Sequence, residues 1–153
     1  MGFDSFEEII QFAIEKEKEA IDFYDSASKQ QSYSGAREAF QEFAQEERKH
    51  KDMLERLLKG EMKISDYQFK WIPDMKRSNY IVEMTYTSGM PYADMLRLAM
   101  KKEEKALQLY NELLKKAEGE DAKNLFKMLC QEEAKHKLKI ETLYDDLMAK
   151  MGD

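Results

Sequence analysis

The sequence repeats itself at a constant offset of 86 residues, and the repeat includes both of its histidines. The stretch QEERKHK at 45–51 recurs as QEEAKHK at 131–137, so that His50 corresponds to His136. The correspondence needs no gap across the other matched pairs, which are Glu17 and Glu103, Ala20 and Ala106, Tyr24 and Tyr110, Phe40 and Phe126, and Glu47 and Glu133. We interpret this self-similarity as one structural unit used twice, through duplication of an ancestral unit.

Each half of the repeat has the apolar periodicity of two amphipathic helices. The pattern predicts helices over about 5–28, 35–58, 91–117 and 121–150. These helices form two hairpins, at about 5–59 and about 91–150, joined by a crossover at about 60–90. The fold class predicted from this pattern is all-α, an antiparallel four-helix bundle with a long crossover, in a single domain over 1–153.

The crossover does not take part in the repeat. Its aromatic residues, Tyr67, Phe69, Trp71 and Tyr80, argue against a floppy linker. Each predicted helix is about 35 Å long, so a chain segment that runs back from one end of a helix to the other needs at least about ten extended residues. The crossover is long enough for this. A short helix or strand within it is left open, and the segment is the candidate contact of a homodimer.

The composition excludes several classes of function. A net charge of −6 and a pI near 5.2 argue against a nucleic-acid-binding surface. We expect no membrane span, because no apolar run of about 18 residues occurs, and no secretory leader, because the start is acidic. A single cysteine, Cys130, excludes an internal disulfide, so a cytoplasmic location is predicted.

The predicted core seams of the four helices are apolar except near their middles, where acidic residues and histidines occur. Burying carboxylates without partners costs several kcal/mol each, and several pointing at one centre repel one another. No Lys or Arg lies on a seam to neutralise these carboxylates, whereas two divalent cations would balance four of them. The spacing Glu-x-x-His also places both of its side chains on one face of a helix, where they can bind the same ion. We therefore predict a site for two metal ions; the alternative is a bundle with misphased surface charges. The predicted ligands are Glu17, Glu47, His50, Glu103, Glu133 and His136.

Several residues near the predicted ligands are interpreted as lying outside the ligand set. Tyr24 and Tyr110 lie two turns beyond Glu17 and Glu103 on the same helix faces, where they either donate hydrogen bonds to ligand carboxylates or fill the core. Cys130 is interpreted as a small core residue rather than a ligand. Three further acidic residues adjoin the predicted ligands and are expected to be solvated: Glu46, Glu104 and Glu132.

The six predicted ligands, in the order Glu17, Glu47-Arg-Lys-His50, Glu103, Glu133-Ala-Lys-His136, resemble the ligand pattern of the ferritin-like di-iron carboxylate proteins. The stretches EKEAIDFY and EEKALQLY are most similar to the rubrerythrin-type domain, and the resemblance covers both hairpins. It implies two iron ions, one held by Glu17, Glu47 and His50 and the other by the equivalent residues of the second hairpin. Glu47 and Glu133 would bridge the two ions. Manganese or zinc would suit the same set of ligands.

The resemblance implies a non-haem di-iron oxidoreductase that reduces peroxide or dioxygen. Rubrerythrins carry a further carboxylate where this chain has Ala106, and bacterioferritins have a haem-binding Met where it has Arg48. The Cys-x-x-Cys pairs of a rubredoxin module are absent, which implies a separate electron-donor protein. A ferroxidase or iron-handling protein, and a non-catalytic metal-binding module, are the alternatives.

Overall fold

Four α-helices contain most of the residues described by the computed structural model, which are 5–31, 34–66 and 89–151. They are α1 (Phe6–Lys29), α2 (Ser34–Lys59), α3 (Tyr92–Lys116) and α4 (Glu120–Met151). A 3₁₀ turn at Ile64–Asp66 follows α2, and the described ranges contain no strand. Each helix end predicted from the sequence lies one residue from the observed end.

The predicted crossover at 60–90 lies largely outside the described residues. Its first part contains the 3₁₀ turn, in which the Asp66 backbone N–H donates to the Lys63 carbonyl at 2.9 Å. The helix or strand left open for this segment, and its predicted role in a homodimer, concern residues 67–88, outside the described part. They stay predictions.

Local sequence signals explain where the helices of the first hairpin begin and end. Ser5 caps α1, because its side-chain oxygen accepts a hydrogen bond from the Glu8 backbone N–H at 3.2 Å. Gly60 follows α2 with φ +76°, a left-handed conformation that favours glycine. There the N–H of Glu61 donates to the Arg56 carbonyl at 2.9 Å and that of Gly60 to the Leu57 carbonyl at 3.2 Å, which is the Schellman pattern.

The chain divides into two compact units, and the first comprises Met1–Gln68 with Glu118–Leu125. In it α1 packs against α2 through the apolar stripe that each helix presents. Tyr24 of α1 contacts Phe40 and Phe43 of α2, with ring centroids 6.3 and 5.4 Å apart. Aromatic pairs of this kind contribute about 0.5–1.5 kcal/mol beyond the area they bury, so this cluster fixes α1 against α2.

The second unit comprises Phe69–Ala117 and Phe126–Asp153, and it contains α3 and most of α4. A polar contact links the start of α3 to the end of α4, because Arg97 Nε donates to the Tyr144 hydroxyl at 3.0 Å. Arg97 also pairs with Asp94 at 2.6 Å. The hydrogen bond to Tyr144, followed by the pairing with Asp94, raises the pKa of Arg97. The contact of Arg97 with Tyr144 places the start of α3 beside the end of α4, as in an antiparallel pair.

None of the helices in the described ranges is apolar enough over a sufficient length to cross a membrane. Their lengths alone would suffice, since they run from 24 to 32 residues and a span needs about 20. Charged residues recur along every one of them.

Candidate metal centre

The first hairpin buries two glutamates and a histidine at the middle of its helices. Glu17 of α1 and Glu47 of α2 are each 1% exposed, and His50 of α2 is 5% exposed. Because residues three apart lie on one face of a helix, Glu47 and His50 point the same way, towards α1. We refer to Glu17, Glu47 and His50 as half-site one.

The spacing within half-site one suits a shared cation. Nδ1 of His50 lies 3.7 Å from Oε2 of Glu17 and 3.9 Å from Oε2 of Glu47. Both separations are longer than an N–H···O hydrogen bond of 2.7–3.2 Å. Nitrogen and oxygen ligands lie about 2.0–2.2 Å from a divalent transition-metal ion such as zinc, so two ligands of one ion are roughly 3–4 Å apart.

The second hairpin buries the equivalent set, which we call half-site two. Glu103 of α3 and Glu133 and His136 of α4 are all less than 5% exposed. Nδ1 of His136 lies 3.8 Å from Oε1 of Glu103, close to the separation found between His50 and Glu17. The repeated sequence thus produces the same local arrangement twice.

Each half-site combines two carboxylates with one imidazole in apolar surroundings. The seam residues one turn before the glutamates are fully or almost fully buried, namely Ala13, Phe43, Ala99 and Leu129. A divalent cation would cancel two carboxylate charges that burial otherwise disfavours, and the imidazole adds a neutral nitrogen ligand. All six residues belong to groups of side chains that could hold a metal ion. The donor sets therefore fit divalent cations, and the prediction of buried seam carboxylates agrees with the structure.

Tyr24 and Tyr110, the two candidate hydrogen-bond donors, are both 1% exposed. Tyr24 packs against aromatic rings of α1 and α2, with the Phe23 centroid 5.2 Å away in an edge-to-face contact. These contacts establish a packing role for Tyr24. Hydrogen bonding from either tyrosine to a ligand carboxylate stays a prediction.

The expectation that Glu104 and Glu132 are solvated is wrong. Glu132 is only 9% exposed, and Glu104 is half-buried, with its Oε2 3.0 Å from Nζ of Lys137. Lys137 is itself buried, as is Glu141 one turn beyond it. Sequence reasoning missed this cluster because the same lysine and glutamate types occur at the equivalent positions of α2, where they are half-exposed.

Cys130 is a packing residue of the second unit. Its thiol is half-buried and lies 3.5 Å from Oδ1 of Asn111, to which it donates. Burial raises the pKa of the thiol to about 11. Among the described residues, no group that could hold a metal contains a cysteine. The partial burial of the thiol and its contact with Asn111 support a packing role for Cys130, and its exclusion from the ligands stays a prediction.

The fold and the buried donor sets define a class of protein, the all-α proteins that carry carboxylates and histidines inside their helical cores. A family model described as Rubrerythrin matches residues 8–144. The chain belongs to the Rubrerythrin family, a family of ferritin-like di-iron domains. Searches of curated proteins and of solved structures each gave no significant match. Family membership and the four described helices confirm the predicted fold class, an all-α ferritin-like four-helix bundle.

Proposed function

We propose that this protein is a non-haem di-iron oxidoreductase that reduces peroxide to water with electrons from a separate donor protein. The observation that supports it most directly is the burial, in each hairpin, of two glutamates and a histidine at mid-helix positions. Membership of the Rubrerythrin family supports iron as the metal. The 153 residues contain one cysteine and thus no Cys-x-x-Cys pair, and the donor is proposed as a separate protein.

In this proposal half-site one would hold one metal ion and half-site two the other. The metal pair, when bound, supplies reversible electron transfer and positions where peroxide binds. The chain contributes preorganised ligands, because the i, i+3 spacing fixes each Glu and His on one face. The buried seam residues beside the ligands exclude water, which strengthens the electrostatic interactions inside the site.

The test is peroxide consumption by the iron-loaded protein in the presence of a reduced donor. Glu47→Ala removes a predicted bridging ligand and is expected to abolish donor-dependent peroxide consumption. Glu46→Ala is the matched control, because Glu46 precedes the ligand but its side chain is 36% exposed and pairs with Lys49 at 3.7 Å. A wild-type protein that binds iron but does not consume peroxide would refute the proposed reaction.

Ferroxidase activity is the second candidate function, and Ala106 is the residue that favours it. Rubrerythrins carry a further carboxylate at that position, whereas here Ala20 and Ala106 occupy equivalent places and the two half-sites contain the same donors. Oxygen uptake that depends on added Fe²⁺, without donor-dependent peroxide reduction, would support this function. Absence of both activities in a protein that binds metal would support a non-catalytic metal-binding module.

A further inference from the structure

A buried cluster of three charged residues lies beside half-site two and has no part in the proposed ligand set. Nζ of Lys137, on α4, is 3.0 Å from Oε2 of Glu104 on α3 and 3.9 Å from Oε2 of Glu141 on α4. The side chains of Lys137 and Glu141 are 3% and 0% exposed, and that of Glu104 is 20% exposed. We call these residues the lysine cluster.

The equivalent positions of the first hairpin do not form such a link. Lys51 corresponds to Lys137 and pairs with Glu55 at 2.6 Å, but their side chains are 29% and 36% exposed. The residue that corresponds to Glu104 is Lys18, which has the same charge as Lys51 and pairs with Glu15 on its own helix. An exposed salt bridge of the first hairpin, between Arg48 and Asp25, does link its two helices.

Burial makes the lysine cluster a strong constraint on α3 and α4. An exposed ion pair contributes little, because water screens it and its side chains retain alternative conformations. A buried pair is different, since separating its partners leaves an uncompensated charge in a medium of low dielectric constant. Movements of α3 relative to α4 that would pull Lys137 away from Glu104 are therefore disfavoured.

Two members of the lysine cluster adjoin members of half-site two in sequence. Glu104 follows Glu103, and Lys137 follows His136. Adjacent residues of a helix share one rigid backbone, so a link from Lys137 to Glu104 also fixes the rotation and height of His136 relative to Glu103. The separation of 3.8 Å between the donor atoms of those two residues is a consequence of this register.

We propose that Lys137 is a positioning residue, which holds α3 and α4 in the register that preorganises half-site two for a metal ion. The inference rests on the proposed metal-binding function and goes beyond it, because it makes the two half-sites unequal despite their identical donors. In half-site one the position equivalent to Lys137 is taken by Lys51, whose side chain is 29% exposed, so the same constraint is not expected there.

The test measures Co²⁺ binding to the metal-free 153-residue chain by its visible absorption, in two single-site backgrounds. His50→Ala leaves half-site two intact, and His136→Ala leaves half-site one intact. In the His50→Ala background, Lys137→Met is expected to weaken Co²⁺ binding about tenfold or more, the usual range for loss of a residue that supports a ligand. In the His136→Ala background, Lys137→Met should change the Co²⁺ affinity by less than about twofold, since Lys137 lies outside half-site one.

Two further variants complete the design. Lys51→Met is the matched control and should leave binding to half-site two unchanged. Lys137→Arg keeps the charge and should restore most of the affinity. If Lys137→Met does not fold, Glu104→Ala replaces it, because that variant removes the partner on α3 while Lys137 keeps Glu141 as a partner.

The outcomes separate this inference from the function on which it rests. Equal weakening in both backgrounds would reduce Lys137 to a general structural role and overturn the inference, as would unchanged binding to half-site two. Either result leaves the proposed metal centre intact. A wild-type chain that binds no Co²⁺ would overturn the metal centre and the inference together.

Discussion

At the residue scale, the six buried donors influence stability in opposite directions with and without metal. Glu47 is 1% exposed and lies close to His50. A buried carboxylate is disfavoured by desolvation and by the other carboxylate of its half-site, and a bound cation reverses that penalty. The same side chain should therefore destabilise the metal-free protein and stabilise the metal-bound one.

Glu47→Gln tests this reversal. In the metal-free protein we expect the substitution to raise the free energy of unfolding by roughly 1–3 kcal/mol, because it removes one buried charge. In the presence of Fe²⁺ the variant should be less stable than the wild type, since it loses a ligand. Urea denaturation with and without Fe²⁺ measures the two free energies of unfolding. Glu46→Gln is the control and should change neither free energy by more than about 0.5 kcal/mol. A metal-free Glu47→Gln protein less stable than the wild type would contradict this account.

Cys130 provides a second prediction at this scale. Burial raises the pKa of its thiol to about 11, so the thiolate fraction at pH 8 is about one in a thousand. We expect alkylation by iodoacetamide to be slow at pH 8 and to rise about tenfold for each unit of pH up to about pH 10, because the thiolate is the nucleophile. The rate measured in urea at the same pH is the control for an accessible thiol. Equal rates in the folded and unfolded protein would show that Cys130 is not buried.

At the scale of the elements, helix ends depend on short local signals, and the end of α2 is the clearest case. Gly60 adopts φ +76°, and apart from Gly60 itself and its two chain neighbours no residue has an atom within 4 Å of the place where a Cβ would be. Substitution there is therefore strained by the backbone conformation and not by a clash.

Gly60→Ala is expected to lower the free energy of unfolding by about 1–2 kcal/mol, the cost of a left-handed conformation for a residue with a Cβ. Thermal unfolding followed by circular dichroism measures it. Lys59→Ala, one residue earlier and at the exposed end of α2, should change stability by less than about 0.5 kcal/mol. Similar effects of the two substitutions would exclude a special role for the conformation of Gly60.

The limits of prediction from sequence are clearest in the comparison of α2 with α4. Periodicity predicted both helices to within one residue at each end, and it placed Glu47, His50, Glu133 and His136 on buried faces. It could not predict that Gln131 and Lys137 are buried, because the same residue types at 45 and 51 are more exposed. Amphipathic periodicity reports the face that a helix turns towards its own core, whereas burial of the remaining surface depends on what else covers it.

At the scale of the whole molecule, duplication accounts for the composition of the proposed centre. One hairpin supplies two carboxylates and an imidazole, a donor set for one cation, and the predicted centre of two ions needs a second such set. The repeat at an offset of 86 residues supplies that second set with the same donors and the same spacing. The separate electron donor, the reaction with peroxide and the homodimer are not encoded in this symmetry, and they stay predictions.

Binding of two metal ions by the six buried residues is the central claim, and an anaerobic titration of the metal-free protein with Fe²⁺ tests it most directly. Calorimetry is expected to give two equivalents per chain, and saturation at 100 times the dissociation constant should stabilise the fold by about 2.7 kcal/mol for each independent site. His50→Ala and His136→Ala should each weaken the binding of at least one equivalent. Failure of the wild-type chain to bind Fe²⁺, or undiminished binding after both histidines are replaced, would contradict the account.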